Sequence, residues 1–131
     1  YNMRFGDPET QVIMALLESN LLDVFTDCLD GKDLDLRFSD KKAVCLVMTS
    51  GGYPGNYEIG YEITGLDKVK ESEVLFAGAE IHQGKVVTSG GRVLNIVATG
   101  DTYQEARKKV YQDALTLRFD YAYYREDIGN F

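Results

Sequence analysis

The uninterrupted apolar run Ala43-Val44-Cys45-Leu46-Val47-Met48, bounded by Lys41-Lys42 before it and Ser50-Gly51-Gly52 after it, constrains the fold more than any other stretch. It is too short for an ordinary helix and offers no polar residue to water, so it reads as a strand covered on both faces. Other strand-like runs follow at Tyr61-Glu62-Ile63, Glu73-Val74-Leu75-Phe76-Ala77, Ala79-Glu80-Ile81, Lys85-Val86-Val87 and Arg92 to Ala98. Gln83-Gly84 is placed to turn a hairpin, and Ser89-Gly90-Gly91 punctuates the chain before the last run. Several short strands with glycine turns describe an antiparallel sheet.

Thr102-Tyr103-Gln104-Glu105 is a capping box, in which hydroxyl and carboxylate satisfy each other's backbone donors. The helix that follows carries one stripe of Tyr103, Ala106, Val110, Ala114 and Leu117, which predicts packing on the sheet. Arg107, Lys108, Lys109 and Gln112 lie off that stripe and read most simply as a solvated face. The tail from Phe119 to Gly129 concentrates aromatics near charges, a composition that fits either a core edge or a docking surface and leans toward an interface.

Ahead of the sheet, Val12, Ile13, Leu16, Leu17, Leu21, Val24, Phe25, Cys28 and Leu29 track one face of a 3.6-residue period. The pattern predicts helix in two pieces, with Ser19-Asn20 capping the second and Gly31 ending it in a left-handed conformation. Glu18, Asp23 and Asp27 on the polar face do not suit a membrane-surface helix. Gly31 to Lys42 reads as a connector; Asp33, Asp35 and Asp40 alternate there, but the glycine and terminal Glu of a calcium loop are absent from their places. The fold class expected is α+β, with an N-terminal helical segment, a small, mostly antiparallel sheet and a C-terminal helix.

The chain has 131 residues, 44% of them hydrophobic, enough for one proper core and an appendage. A formal net charge of -7 repels phosphate backbones, so nucleic acid is not an expected partner. Cys28 and Cys45 sit in apolar surroundings without Cys or His at metal spacing, which predicts two buried free thiols. There is no run of membrane-spanning length and no signal-peptide pattern, so the cytoplasm is the natural compartment. His82, the only histidine, falls beside the hairpin turn with no Asp or Ser near it and reads as solvated.

Chemistry is concentrated at the start, in Asn2-Met3-Arg4-Phe5-Gly6-Asp7-Pro8-Glu9-Thr10-Gln11. Asp7 can cap the helix, Pro8 suits its first position, and Glu9 complements the positive end of its dipole. Asn2, Arg4 and Gly6 are not needed for a helix start. An amide oxygen such as that of Asn2 is a hard ligand suited to magnesium, and a guanidinium fork grips phosphate or carboxylate. The plain alternatives are a turn residue for Asn2 and a surface ion pair for Arg4. Ser50 to Tyr57 is a glycine-rich loop after a strand, but no Lys-Ser/Thr and no dinucleotide spacing follow, so it reads as a tight surface turn.

That opening string resembles the last active-site motif of the phosphoribosylamine–glycine ligase (glycinamide ribonucleotide synthetase) family, ATP-grasp enzymes of purine biosynthesis. Ser50-Gly51-Gly52-Tyr53-Pro54-Gly55, Val87 to Leu94, Ala98-Thr99-Gly100-Asp101-Thr102 with Glu105-Ala106, and Tyr124 to Gly129 resemble the family's C-terminal domain in the same order. In the family a Glu stands two residues before the Asn, and the pair holds magnesium; this chain begins at Tyr1. Where the family often has Phe-His-Ala-Gly-Thr, this chain has Leu75-Phe76-Ala77-Gly78-Ala79, which weakens any role for a histidine there.

The resemblance implies residues 1–31 as the closing edge of an ATP-grasp domain and 32–131 as a C-terminal domain similar to a rudimentary single-hybrid motif. It implies a reaction joining glycine to 5-phosphoribosylamine through a glycyl phosphate, with ATP as cosubstrate and Mg²⁺ or Mn²⁺ as cofactor. Asn2 would be a metal ligand and Arg4 a substrate contact, with Asp7 and Glu9 in support; no catalytic residue is assigned within the chain. The remaining ligase domains would be its partners, and the chain alone is expected to be inactive. The other reading is a non-catalytic binding module that uses the same domain.

Overall fold

The structure, a computed structural model, describes residues 3–130. Its elements in order are α1 (Glu9–Leu16), α2 (Leu21–Leu29), β1 (Lys42–Thr49), β2 (Glu73–Phe76), β3 (Ala79–His82), β4 (Lys85–Thr88), β5 (Arg92–Gly100) and α3 (Tyr103–Ala114). The fold is α+β. A three-stranded antiparallel sheet runs β1-β5-β2, and β3 and β4 form a separate hairpin. Gln83 and Gly84 both take positive φ at the hairpin tip, as a two-residue turn matching the strand twist requires.

The central apolar run is β1, and it is covered on both faces as its composition requires. Val44, Leu46 and Met48 pair with Ala98, Ile96 and Leu94 of β5. This face packs on Ala106, Val110 and Ala114 of α3 and on Leu117 just beyond it, forming the core. The alternate positions Cys45, Val47, Asn95 and Val97 share the opposite face, where α1 lies against β1 and β5. Tyr103 was expected in the core stripe of α3 but is 42% exposed, because it stands in the first turn, beyond the end of the sheet.

The pairing of β1 with β5 shifts between Met48 and Thr49, so that Thr49 faces Arg92 and Val93 is the extra residue of a bulge. Val93 and Leu94 are both fully buried as a result. Tyr61-Glu62-Ile63, expected as a strand, is extended chain held by isolated bridges: Glu62 opposite Val87 and, just beyond, Thr64 opposite Arg118.

Helix boundaries follow local chemistry. The Asn20 side chain accepts from the Leu22 N–H at 2.9 Å, capping α2 as expected. At its other end Gly31 has φ +67, with Gly31 N–H donating to Cys28 O and Lys32 N–H to Asp27 O, the paired bonds of a Schellman ending. Thr102 Oγ1 accepts from the Glu105 N–H at 3.1 Å. The Glu105 carboxylate reaches back one residue further than a capping box requires, to the Asp101 N–H at 2.9 Å. That bond and the Lys109 ammonium hold the Glu105 carboxyl below its ordinary value.

The periodic face of α2 is not buried. Leu22 is 71% exposed and Leu29 89%, and Cys28, expected to be a buried thiol, is exposed. The periodicity is local, but no layer of the described chain lies against it. The segment after α2 returns to run beside the end of α1, Glu18 N–H donating to Arg37 O and Ser39 N–H to Leu16 O, with Leu17 opposite Phe38.

Candidate functional site

The motif at the start of the chain docks on the α1 face of the sheet, at the end where β1 leaves and β5 enters. Asn2 lies outside the described residues. Gly6 is buried, and its carbonyl accepts from both the N–H and the hydroxyl of Thr10, at 2.8 and 2.6 Å. Asp7 does not cap α1 as expected. Pro8 takes the capping position, and the Asp7 carboxylate instead accepts from the Gln11 amide at 2.7 Å and pairs with Arg92 Nε at 3.4 Å. The guanidinium also donates from Nη1 to the Asp7 carbonyl at 2.7 Å. Arg4 is exposed and donates to the Phe5 carbonyl at 3.2 Å, while Glu9 is exposed in the first turn of α1.

Two glycine loops meet beneath this segment. Ser50, buried, donates its N–H to Gly91 O and its hydroxyl to Gly90 O, both at 2.8 Å. The Tyr53 ring lies so close to Gly91 that a Cβ there would overlap it. Gly78 donates to Arg92 O at 2.7 Å and accepts from Ser89 N–H at 2.8 Å, closing the loop from the β2–β3 side. The 50–57 loop is a tight turn, as expected, and it is also the clamp that fixes 90–92.

The tail completes the wall. Tyr123 exchanges backbone bonds with Thr49 at 3.0 and 2.8 Å, and Arg125 forms a two-point pair with Asp127 at 2.8 and 2.6 Å. That pair raises Arg125 above its usual value and lowers Asp127. Arg107 was expected on a solvated face; it instead donates to Ile128 O at 3.0 Å and Glu126 O at 2.6 Å, strapping the tail to α3. Lys109 likewise turns inward to Thr99 O at 2.9 Å. Lys108 and Gln112 of that face are exposed, as expected. The tail is both core edge and surface, with Phe119 buried and Tyr121 and Tyr123 exposed.

Between these parts lies a mostly apolar cavity of about 340 Å³, walled by Pro8, Cys45, Val47, Tyr53, Arg92 and Tyr123 among others. Burial, with the charge of Asp7, pushes the Cys45 thiol up to about 12, so it stays protonated and is no nucleophile. Both guanidiniums at its rim, Arg92 and Arg125, are already paired with carboxylates. Among the described residues no three His, Cys, Asp or Glu side chains are grouped to hold a metal. His82 is exposed at the hairpin tip, away from this site.

Two long-range contacts, one at the site and one on α3, had no signal in the sequence. Arg92 meets Asp7 across 85 positions. Asp113, 4% exposed on α3, accepts the backbone N–H of Lys70 at 3.1 Å and Glu71 at 2.9 Å. Burial pushes its carboxyl up, but the Glu71 and Lys70 N–H groups outweigh that and hold it below the ordinary value.

Among the described residues no helix is long and apolar enough to cross a membrane. Comparison with known proteins places these features. Residues 43–131 match the family model described as phosphoribosylglycinamide synthetase, C domain. The chain is 51% identical over 131 residues to a protein named phosphoribosylamine–glycine ligase from Caldanaerobacter subterraneus subsp. tengcongensis, covering 98% of this chain and 31% of the relative. It is 43% identical to the trifunctional purine biosynthetic protein adenosine-3 of Gallus gallus, covering 98% of this chain and 13% of that protein. The crystal structure of phosphoribosylamine–glycine ligase from Thermotoga maritima superposes with a TM-score of 0.85 at 38% identity, over 97% of this chain and 32% of that one. The chain thus spans about a third of the single-function relatives it matches. With its sheet, clamped glycine loops and tail all inside the matched span, the chain belongs to the phosphoribosylglycinamide synthetase C-domain family.

Proposed function

We propose that this chain is the C-terminal part of a phosphoribosylamine–glycine ligase of purine (IMP) biosynthesis, acting in the cytoplasm. The carrying observation is that likeness to a protein of that name covers 98% of the chain, so it takes in the N-terminal motif as well as the C domain. In this reading residues 1–31 close an ATP-grasp domain and 32–131 are the C-terminal domain, with the remaining ligase domains as partners.

A carboxylate is a poor electrophile, so a carboxylate oxygen of glycine attacks the terminal phosphorus of ATP, ADP leaves, and glycyl phosphate forms. The amine of 5-phosphoribosylamine then attacks the acyl carbon, inorganic phosphate departs and the new amide nitrogen loses a proton. Mg²⁺ or Mn²⁺, when bound, supplies neutralisation of the phosphate charge. Asn2 would offer such an ion its amide oxygen, a hard donor of the kind these ions take. Arg4 grips substrate phosphate or carboxylate; its exposed position on a segment tied down at Asp7 suits a ligand approaching from outside the described residues. Asp7 supports the site through Arg92 and Glu9 through the start of α1.

The test is ADP release by the full-length polypeptide with ATP, glycine and 5-phosphoribosylamine. Release that needs glycine supports the ligase; ligand binding without turnover would favour a non-catalytic module and overturn it. The 131-residue chain alone is expected to release no ADP in the same assay.

A further inference from the structure

The bulge in β5 has a specific effect on one side chain. In regular pairing, Arg92 would share the core face of Leu94, two residues on; with Val93 as the extra residue, Arg92 pairs with Thr49 and turns to the α1 face. There its Nη1 donates to the Asp7 carbonyl at 2.7 Å and its Nε lies 3.4 Å from the Asp7 carboxylate. The half-exposed ion pair by itself contributes little. The charged bond to a backbone carbonyl is different, because it fixes the main chain and not a mobile side chain. The base of Arg92 is fixed in turn: Gly91 lies under the Tyr53 ring, Ser50 holds the Gly90 and Gly91 carbonyls, and Gly78 holds the Arg92 carbonyl.

We infer that Arg92 is a positioning residue: it latches the segment leading into α1 onto the C-domain sheet and so fixes where Arg4 stands. An anion subsite is the competing use of a guanidinium beside a cavity. It does not fit here, since Arg92 is matched to Asp7, Arg125 to Asp127, and the cavity wall is mostly apolar. The latch deepens the ligase reading and rests on it only for its effect on turnover.

The experiment compares wild-type full-length polypeptide with Arg92→Ala and Arg92→Lys by amide hydrogen exchange and by steady-state kinetics. Loss of a charged hydrogen bond to Asp7 predicts exchange of the Thr10 amide, whose N–H donates to Gly6 O, rising roughly tenfold or more in Arg92→Ala, with Leu46 and Ile96 unchanged. Arg92→Lys, which keeps one donor, falls between. Misplacement of the segment predicts kcat falling roughly tenfold to a hundredfold, partly restored in Arg92→Lys. Unchanged exchange at the Thr10 amide overturns the latch, and so does exchange rising equally at Leu46 and Ile96 in both variants, which would make Arg92 a general folding residue. Raised exchange with unchanged kcat and KM overturns the positioning role. Wild-type protein that releases no ADP defeats the ligase reading alone, and the exchange result still decides the latch.

Discussion

Asp113 shows how much a single buried carboxylate organises here. Its two backbone donors, Lys70 and Glu71, sit where the chain leaves the short 3-10 turn Leu66–Lys68 and heads into β2, so the side chain ties that connection to α3. Asp113→Ala strands both N–H groups in a nearly buried place, which is expected to cost about 1–3 kcal/mol at neutral pH. Because the folded carboxyl titrates below its unfolded value, this stability is fully present above the unfolded pKa of about 3.9 and drains as pH falls through the folded one. Urea unfolding of wild type and Asp113→Ala should therefore show a gap at pH 7 that narrows in acid below pH of about 4. A gap that stays constant with pH would mean the carboxylate charge is not what the amides recognise. Nothing in the sequence marks Asp113, because its partners lie more than forty residues away and donate through the backbone, which leaves no trace in side-chain pattern. Cys45 was legible and Cys28 was not, since the first sits in a run that demands two covers and the second on a helix whose cover is not in the described chain.

At the scale of elements, much of what was written locally was read correctly, although the expected Asp7 cap and the strand at Tyr61-Glu62-Ile63 were not found. The apolar run of β1, the hairpin at Gln83-Gly84, the Asn20 cap and the Gly31 ending each depend on residues within a few positions of one another. The α3 cap belongs to this class, and it permits a clean test. Thr102→Ala removes the acceptor for Glu105 N–H, and α3 is one full wall of the core, so the loss should read out as about 1 kcal/mol of global stability in denaturant titration. An unchanged midpoint would show that the Glu105 bond to Asp101 suffices to start the helix. The candidate site was only half legible for the opposite reason. Its motifs stood out as strings, but their junction depends on a bulge at Val93 and on the Arg92 to Asp7 contact, both products of register and of distant chain. Arg107 and Lys109 misled for a related reason: long cationic stems on an outer face reach carbonyls that only the folded tail and β5 bring within range.

Across the whole molecule, cohesion is uneven, and this sets the order in which parts should open. The sheet and α3 share one core of fully buried side chains, Leu46, Met48, Leu94, Ile96 and Val110 among them, so their amides can exchange only with global unfolding. The lobe from Leu17 to Ser39 is built differently. α2 holds no buried residue, and the lobe is fastened by backbone bonds at Glu18 and Ser39 and by the Ser19 hydroxyl, which donates to Asp35 O and accepts from Arg37 N–H, both at 2.7 Å. The apolar side chains of α2 are at most partly withdrawn from water, so less opposes the opening of the lobe than of the core. Native-state hydrogen exchange of the 131-residue chain with increasing denaturant should therefore separate two groups. Amides of Leu21 to Leu29 should exchange at low free energy with little denaturant dependence, as local openings do, while those of Leu46 and Ile96 follow the global slope. Ser19→Ala should lower protection of the lobe further and leave the core amides unchanged, because the Asp35 carbonyl and Arg37 N–H it joins lie in the lobe alone. If α2 exchanged along the same global slope as β5, the lobe would have to be gripped by the core through contacts other than these, and its exposed apolar face would then need a different explanation from a missing cover.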